Sequence, residues 1–193
     1  MIKEFSKYSD EELLEFIKGE KKKADKAFTE IYNRYSSKIY SFARTFINDI
    51  DKANDVFQDT FIKFYEYARK GNEIRNPVGL LMTIARNLSL NAMREKEKLQ
   101  LEDAEYIAQK ESTYEQKEYL ELVMISIDLL EEETKQVFIM RVFNDLSYDE
   151  IAEITNMPPS RARYLVFAAR NKLKSLLAPY FEEKKLTNIN DAK

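Results

Sequence analysis

Two residue types that carry much of protein chemistry are missing from this chain. Its 193 residues contain no histidine and no cysteine. That removes imidazole general bases, Ser–His–Asp triads, thiolate nucleophiles, disulfides and every metal site built on His or Cys. A carboxylate-only magnesium site remains open; otherwise no cofactor is expected. The side chains left to act are carboxylates, amides, cations and aromatics, which bind more readily than they catalyse. One grouping stands out between Pro159 and Leu177. At about 100° per residue, Ala162, Leu165, Val166, Ala169, Leu173 and Leu176 fall within about 60° of one direction and form a buried face. Tyr164, Phe167 and Asn171 point the opposite way. Arg163, Arg170 and Lys174 run along one flank, Arg161 and Lys172 along the other. Cations neutralise phosphates, while aromatic and amide groups reach base edges or thymine methyls, so this face is a candidate DNA contact. A second grouping is Asp55, Gln58 and Asp59. The carboxylates are four residues apart, so both share a helix face with Gln58 beside them. Taken alone, such a pair reads as a solvated acidic surface.

The elements that must position these residues are helical. Three glycines and four prolines are too few for a β-sandwich or a Gly-rich nucleotide-binding fold. Ser9-Asp10-Glu11-Glu12 is a capping box opening a short helix that Gly19 ends. Phe28, Ile31, Tyr32, Tyr35, Ile39, Phe42, Ala43 and Phe46 make an apolar stripe over about residues 25–47. A third helix spans about 51–69 and carries Ala53, Val56, Phe57, Phe61 and Phe64. Gly71, Asn72, Asn76 and Pro77 form a loop. A fourth helix starts near Pro77 with Leu80, Leu81, Ile84, Ala85 and Leu88. The stripe fades from about Glu95 and restarts near Tyr119. This predicts an all-α fold of two helical domains, residues 1–97 and 114–180, joined by a polar linker at 98–113, with a frayed tail at 181–193. In the second domain Ser147-Tyr148-Asp149-Glu150 is another capping box. Asn156-Met157-Pro158 breaks that helix, and Pro159 and Ser160 open the next, a helix-turn-helix pattern.

Charge follows the same division. Residues 118–157 hold two basic and ten acidic side chains, whereas residues 158–193 hold eight basic and three acidic. So sharp a change suggests a surface that meets an anion. No apolar run approaches the roughly 18 residues that would span a bilayer, and no secretory leader opens the chain, so no membrane insertion and a cytoplasmic location are expected.

Three stretches, in this order and spacing, resemble the bacterial RNA polymerase sigma factors of the sigma-70 family, in particular the short extracytoplasmic-function (ECF) group. Asp55-Val56-Phe57-Gln58-Asp59-Thr60-Phe61 is similar to the family's acidic–Gln motif. Leu81-Met82-Thr83-Ile84-Ala85-Arg86-Asn87 is similar to its promoter-melting helix. Asp145 to Ile154 is similar to the first helix of its helix-turn-helix. The resemblance covers about residues 26–177. It implies a non-enzymatic factor that directs promoter recognition, promoter melting and transcription initiation for a specialised regulon, with core RNA polymerase and promoter DNA as partners and reversible capture by an anti-sigma factor.

The resemblance also assigns roles. Asp55, Gln58 and Asp59 would dock on core polymerase. Asn72, Arg75, Asn76, Arg86, Asn87 and Arg94 would bind the minus-ten element, with Asn87 helping to hold a flipped base, because an unpaired base needs amide hydrogen bonds and nearby cations. Ser160, Arg161, Arg163, Tyr164, Phe167, Arg170, Asn171 and Lys174 would bind the minus-thirty-five element. The chain departs from the family at Leu80, where Trp is usual, at Asn91, where Asp is frequent, and at Leu165 and Ala168, where cations are frequent. Two other readings stand beside this one: an autonomous helix-turn-helix regulator, and a protein-interaction module with a degenerate DNA surface.

Overall fold

The computed structural model describes residues 5–100 and 115–190. Every regular element among them is helical, as the low Gly and Pro content and the 3.6-residue stripes require. The chain divides into two compact units, Met1–Asp103 with Ala152–Asn156, and Ala104–Ile151 with Met157–Lys193.

The first unit holds α1 (Asp10–Lys18), α2 (Lys21–Phe46), α3 (Ile50–Arg69) and α4 (Pro77–Gln100). The expected capping box opens α1: Ser9 Oγ accepts from the Glu12 N–H and Glu12 accepts from the Ser9 N–H. Asp49 caps α3, its Oδ1 accepting from the N–H groups of Asp51 and Lys52 at 3.1 Å each. The core is Leu13 and Ile17 of α1, Ile31, Ile39, Phe42 and Phe46 of α2, Phe61 and Phe64 of α3, and Leu81 and Met82 of α4. Two arginines tie α1 to its neighbours. Arg34 donates to Asp10 (2.8 Å), Glu30 (3.0 Å) and the Tyr8 carbonyl (2.7 Å), and the Tyr35 hydroxyl donates to Asp10 as well. Arg69 donates to the carbonyls of Ile17 (2.9 Å) and Gly19 (2.6 Å), which end α1.

Two sequence expectations shift here. Phe28 and Tyr35 are only half-buried and Tyr32 is exposed, so the α2 stripe is broader than the surface its neighbours cover. Among the described side chains of α4 the buried set is Pro77, Leu81, Met82, Ala85, Ser89 and Leu90, while Leu80, Ile84 and Leu88 are half-buried along one flank.

The second unit holds α5 (Glu115–Asp128), α6 (Glu132–Val142), α8 (Pro159–Asn190) and the first four residues of the short α7 (Tyr148–Thr155), whose remaining residues are counted with the first unit. Val137, Ile139 and Met140 of α6 and Ala162, Val166 and Ala169 of α8 are buried. The buried Lys135 ammonium lies 2.6 Å from Asp128, so its charge is paired rather than stranded. The second capping box is present: Ser147 Oγ accepts from the Glu150 N–H at 3.2 Å, and Glu150 accepts from the Ser147 N–H at 2.7 Å. Asn156 adopts φ 55°, a left-handed conformation that asparagine tolerates, and turns the chain between α7 and α8.

The linker placed at 98–113 lies mostly outside the described residues; its first three positions continue α4. Where a frayed tail was expected, α8 carries helix through Pro179 to Asn190. Residues 180–190 contain no glycine and include Glu182, Glu183, Lys184, Lys185 and Leu186, all good helix formers.

Candidate functional site

The α3 surface is built by one helix phase. Val56, Thr60, Phe61 and Phe64 are buried, which turns Asp55, Gln58 and Asp59 outward, and all three are exposed. Ile62, four residues after Gln58, continues the same face and is 54% exposed. Beside this face runs a groove of about 770 Å³ between α2 and α3. Its walls are Phe28, Tyr32, Phe57, Phe61, Ile62 and Tyr65, and Gln58 stands on its rim. Edge-on ring contacts order the walls, among them Tyr32–Phe57 at 5.9 Å and Tyr40–Phe57 at 5.5 Å. The Tyr65 hydroxyl donates to Asp25 at 2.9 Å, and burial followed by that hydrogen bond raises its pKa above the ordinary phenol value. The charged groups lining the groove, Asp25 and Glu66, are both acidic. Sequence reading missed this groove. The available signal was the i+4 step from Gln58 to Ile62; the part played by Tyr32 depends on how α2 and α3 pack.

In the loop before α4 and on α4 itself, the amides divide by task. Asn76 is the N-cap of α4, its Oδ1 accepting the Gly79 N–H at 2.9 Å. The Asn72 amide donates to the Tyr67 carbonyl at 2.9 Å, closing the end of α3. Both loop asparagines therefore hold backbone. Arg75 is exposed and paired with Glu73 at 2.7 Å. On α4, Asn87 and Arg94 are exposed, and the half-buried Arg86 donates to Asn87 Oδ1 at 3.3 Å. That contact presents an amide and a guanidinium side by side.

The α8 face matches its angular pattern. Ala162, Leu165, Val166, Ala169 and Leu173 are buried, and Leu176 is half-buried. Ser160, Arg161, Arg163, Tyr164, Phe167, Arg170, Asn171 and Lys174 are all exposed, with Tyr164 at 67% and Phe167 at 62%. Two large aromatics held that far into solvent, between cations, form a surface suited to a nucleic acid. Leu165, at a position where the family often has a cation, belongs to the core. Arg161 is engaged in a two-pronged pair with Glu133 of α6, at 2.6 and 3.2 Å. Arg163 instead lies over the Tyr148 ring, 5.1 Å from its centroid. Neither contact was read from the sequence, since the partners are 28 and 15 positions away.

Among the described residues no group of three or more acidic side chains could hold a metal ion, and no helix is long and apolar enough to cross a membrane.

Residues 31–99 match Sigma-70 region 2, and residues 121–173 match Sigma-70, region 4. The RNA polymerase sigma factor YlaC of Bacillus subtilis (strain 168) is 32% identical over 170 residues, covering 81% of this chain and 95% of that protein. The chain belongs to the sigma-70 family. It is a sigma factor of the ECF type, a transcription initiation factor. The ECF RNA polymerase sigma factor SigW of Bacillus subtilis (strain 168) is 26% identical over 180 residues, covering 83% of this chain and 94% of that protein. The sigma factor RpoE from Bartonella quintana, solved with the anti-sigma factor NepR, superimposes with a TM-score of 0.65 at 25% identity, covering 79% of this chain and 98% of that one. CnrH, solved with the cytosolic domain of CnrY, shares the fold with a TM-score of 0.68 at 19% identity, covering 88% of this chain and 97% of that one. With both sigma-70 regions present in order, the two alternative readings are not favoured.

Proposed function

We propose that this sigma factor divides its work between its two regions. Residues 1–97 dock on core polymerase and open the minus-ten element, and residues 114–180 engage the minus-thirty-five duplex. The observation that carries this reading is the α3 surface, where Asp55, Gln58 and Asp59 stand exposed beside an aromatic groove whose charged lining residues are acidic. Carboxylates and an amide around an apolar trough suit a basic helical partner, which gains charge pairing at the rim and ring burial at the centre. That partner is a helical element of core polymerase.

Asn87, Arg86 and Arg94 offer the amide and cations that an unpaired base and its phosphates require. Asn72, Arg75 and Asn76 shape the loop leading into that surface. On α8, Tyr164, Phe167 and Asn171 read base edges or methyl groups, while Ser160, Arg161, Arg163, Arg170 and Lys174 meet phosphates or bases. The sigma factor adds no catalytic chemistry of its own and works in the cytoplasm. An anti-sigma factor holds it in reserve, a reading supported by the RpoE relative, which was solved in such a complex.

The test is capture of core polymerase by the full chain, with and without promoter DNA. Binding to core without DNA, followed by promoter-specific initiation, is expected. Nanomolar, sequence-specific duplex binding by the chain alone at physiological salt, with no affinity for core, would overturn the reading.

A further inference from the structure

We infer that Tyr148 is a positioning residue that holds the Arg163 guanidinium ready for DNA before DNA arrives. The inference rests on the assignment of Arg163 to the upstream duplex and adds a residue to which that assignment gives no role. Two guanidinium groups lie over the Tyr148 ring: that of Arg163 at 5.1 Å from the centroid and that of Arg141 at 5.2 Å. Arg141 is itself anchored, donating to the Leu146 carbonyl at 2.9 Å across the turn where Asp145 adopts φ 55°. Tyr148 is half-buried at the first position of α7 and follows the capping residue Ser147 directly, so its backbone is fixed as well. The ring is therefore a platform built from α6, the turn and α7, and Arg163 of α8 rests on it.

The neighbouring Arg161 shows why a ring suits this task. Arg161 is ordered too, but by Glu133, which occupies two of its N–H groups. Residues 118–157, which precede α8 in the sequence, carry ten acidic side chains, and one of them, Glu133, holds Arg161. A guanidinium ordered by a carboxylate has part of its donor fork occupied and its charge offset, which leaves less of both for a phosphate or a guanine. A guanidinium ordered by a ring face keeps its in-plane donors free, because the attraction is to the π face and uses no N–H. Ordering Arg163 in advance lowers the side-chain entropy lost when DNA binds.

The test compares two isosteric rings at position 148 in the full chain. Tyr148→Phe keeps the negative π face and removes the hydroxyl; pentafluorophenylalanine keeps the shape and inverts the quadrupole. In the free chain, the Arg163 Nε–H order parameter is expected to stay high with Phe and to fall with the fluorinated ring. Assembled with core polymerase, the chains are titrated against a promoter duplex selected from genomic DNA by the wild-type holoenzyme. Phe should bind within about twofold of wild type, and the fluorinated ring roughly two- to fivefold more weakly, the span of an exposed cation–π contact. In an Arg163→Ala background the two rings should bind equally. Equal affinities for the two rings in the wild-type background would overturn the proposal, as would a loss with Phe matching that of the fluorinated ring, or a ring effect that persists without Arg163. If Arg163→Ala leaves affinity unchanged, the upstream assignment fails and this inference falls with it. If Arg163→Ala weakens binding but the ring swap does not, the inference alone falls.

Discussion

At the scale of single residues, exposure separates Asp55 and Asp59, proposed to bind, from side chains that hold the fold. Asp55 and Asp59 are exposed with a buried Val56 behind them, so changing them leaves the core alone. Asp55→Arg with Asp59→Arg should therefore shift stability by only about 0.5 kcal/mol per site while reversing the charge offered to polymerase. Thermal unfolding beside a core-polymerase titration checks both halves, and a folded double variant with unaltered affinity would refute the docking role. Tyr35 shows the opposite kind of residue. Burial, then its hydrogen bond to Asp10 and the charge of that carboxylate, raises its pKa above the ordinary phenol value of 10. A raised phenol keeps its proton in the folded chain when the unfolded chain has already lost it. Its contribution is thus fully present below pH 10 and falls as pH rises from there toward the folded pKa. Urea midpoints measured from pH 8 to 11 should drop more steeply above pH 10 for the wild type than for Tyr35→Phe.

At the scale of elements, α4 depends on the cap that the loop supplies. Asn76 accepts the Gly79 N–H, and Pro77 follows at the first helical position, where its missing N–H costs nothing. Asn76→Ala should cost about 1 kcal/mol in urea unfolding, whereas Asn76→Asp keeps an acceptor and should stay near wild type. The aspartate variant also isolates any DNA role. A folded Asn76→Asp protein that opens promoters normally would make Asn76 a capping residue and nothing more. Gly79 depends on the same contact. A Cβ there would lie 2.8 Å from the Asn76 amide nitrogen, so Gly79→Ala should forgo the gain of roughly 1 kcal/mol usual for Gly→Ala inside a helix.

At the scale of the whole molecule, the two proposed DNA surfaces should separate by the state of the strand they meet. Asn87 offers an exposed amide, useful once a base has left the stack. Arg163 lies beside the exposed aromatics of α8, suited to the duplex grooves. Asn87→Ala should impair strand opening by the holoenzyme while leaving initial duplex binding nearly intact, as permanganate reactivity of unpaired thymines would show. Arg163→Ala should weaken duplex engagement; if it meets a phosphate, the salt dependence should fall by about one unit of slope. Intact melting by Asn87→Ala, or unaltered upstream binding by Arg163→Ala, would break this division.

Local rules made much of the molecule legible in its sequence. Capping boxes at Ser9 and Ser147 depend on residues three apart, and both are present. The buried and exposed faces of α8 follow from the angular period, which also placed Tyr164 and Phe167 in solvent. The absence of His and Cys excluded whole chemistries without any coordinates. Packing decided the rest, because an apolar stripe states which side of a helix is greasy but not how much of it a neighbour covers. Phe28 and Tyr32 read as core, yet they line an open groove where α2 meets α3. The partners of Arg34, Arg69 and Arg161 lie up to 52 positions away, and no period in the chain records such pairs. Whether a given cation caps a helix, pairs with a carboxylate or rests on a ring is fixed only when the helices close on one another.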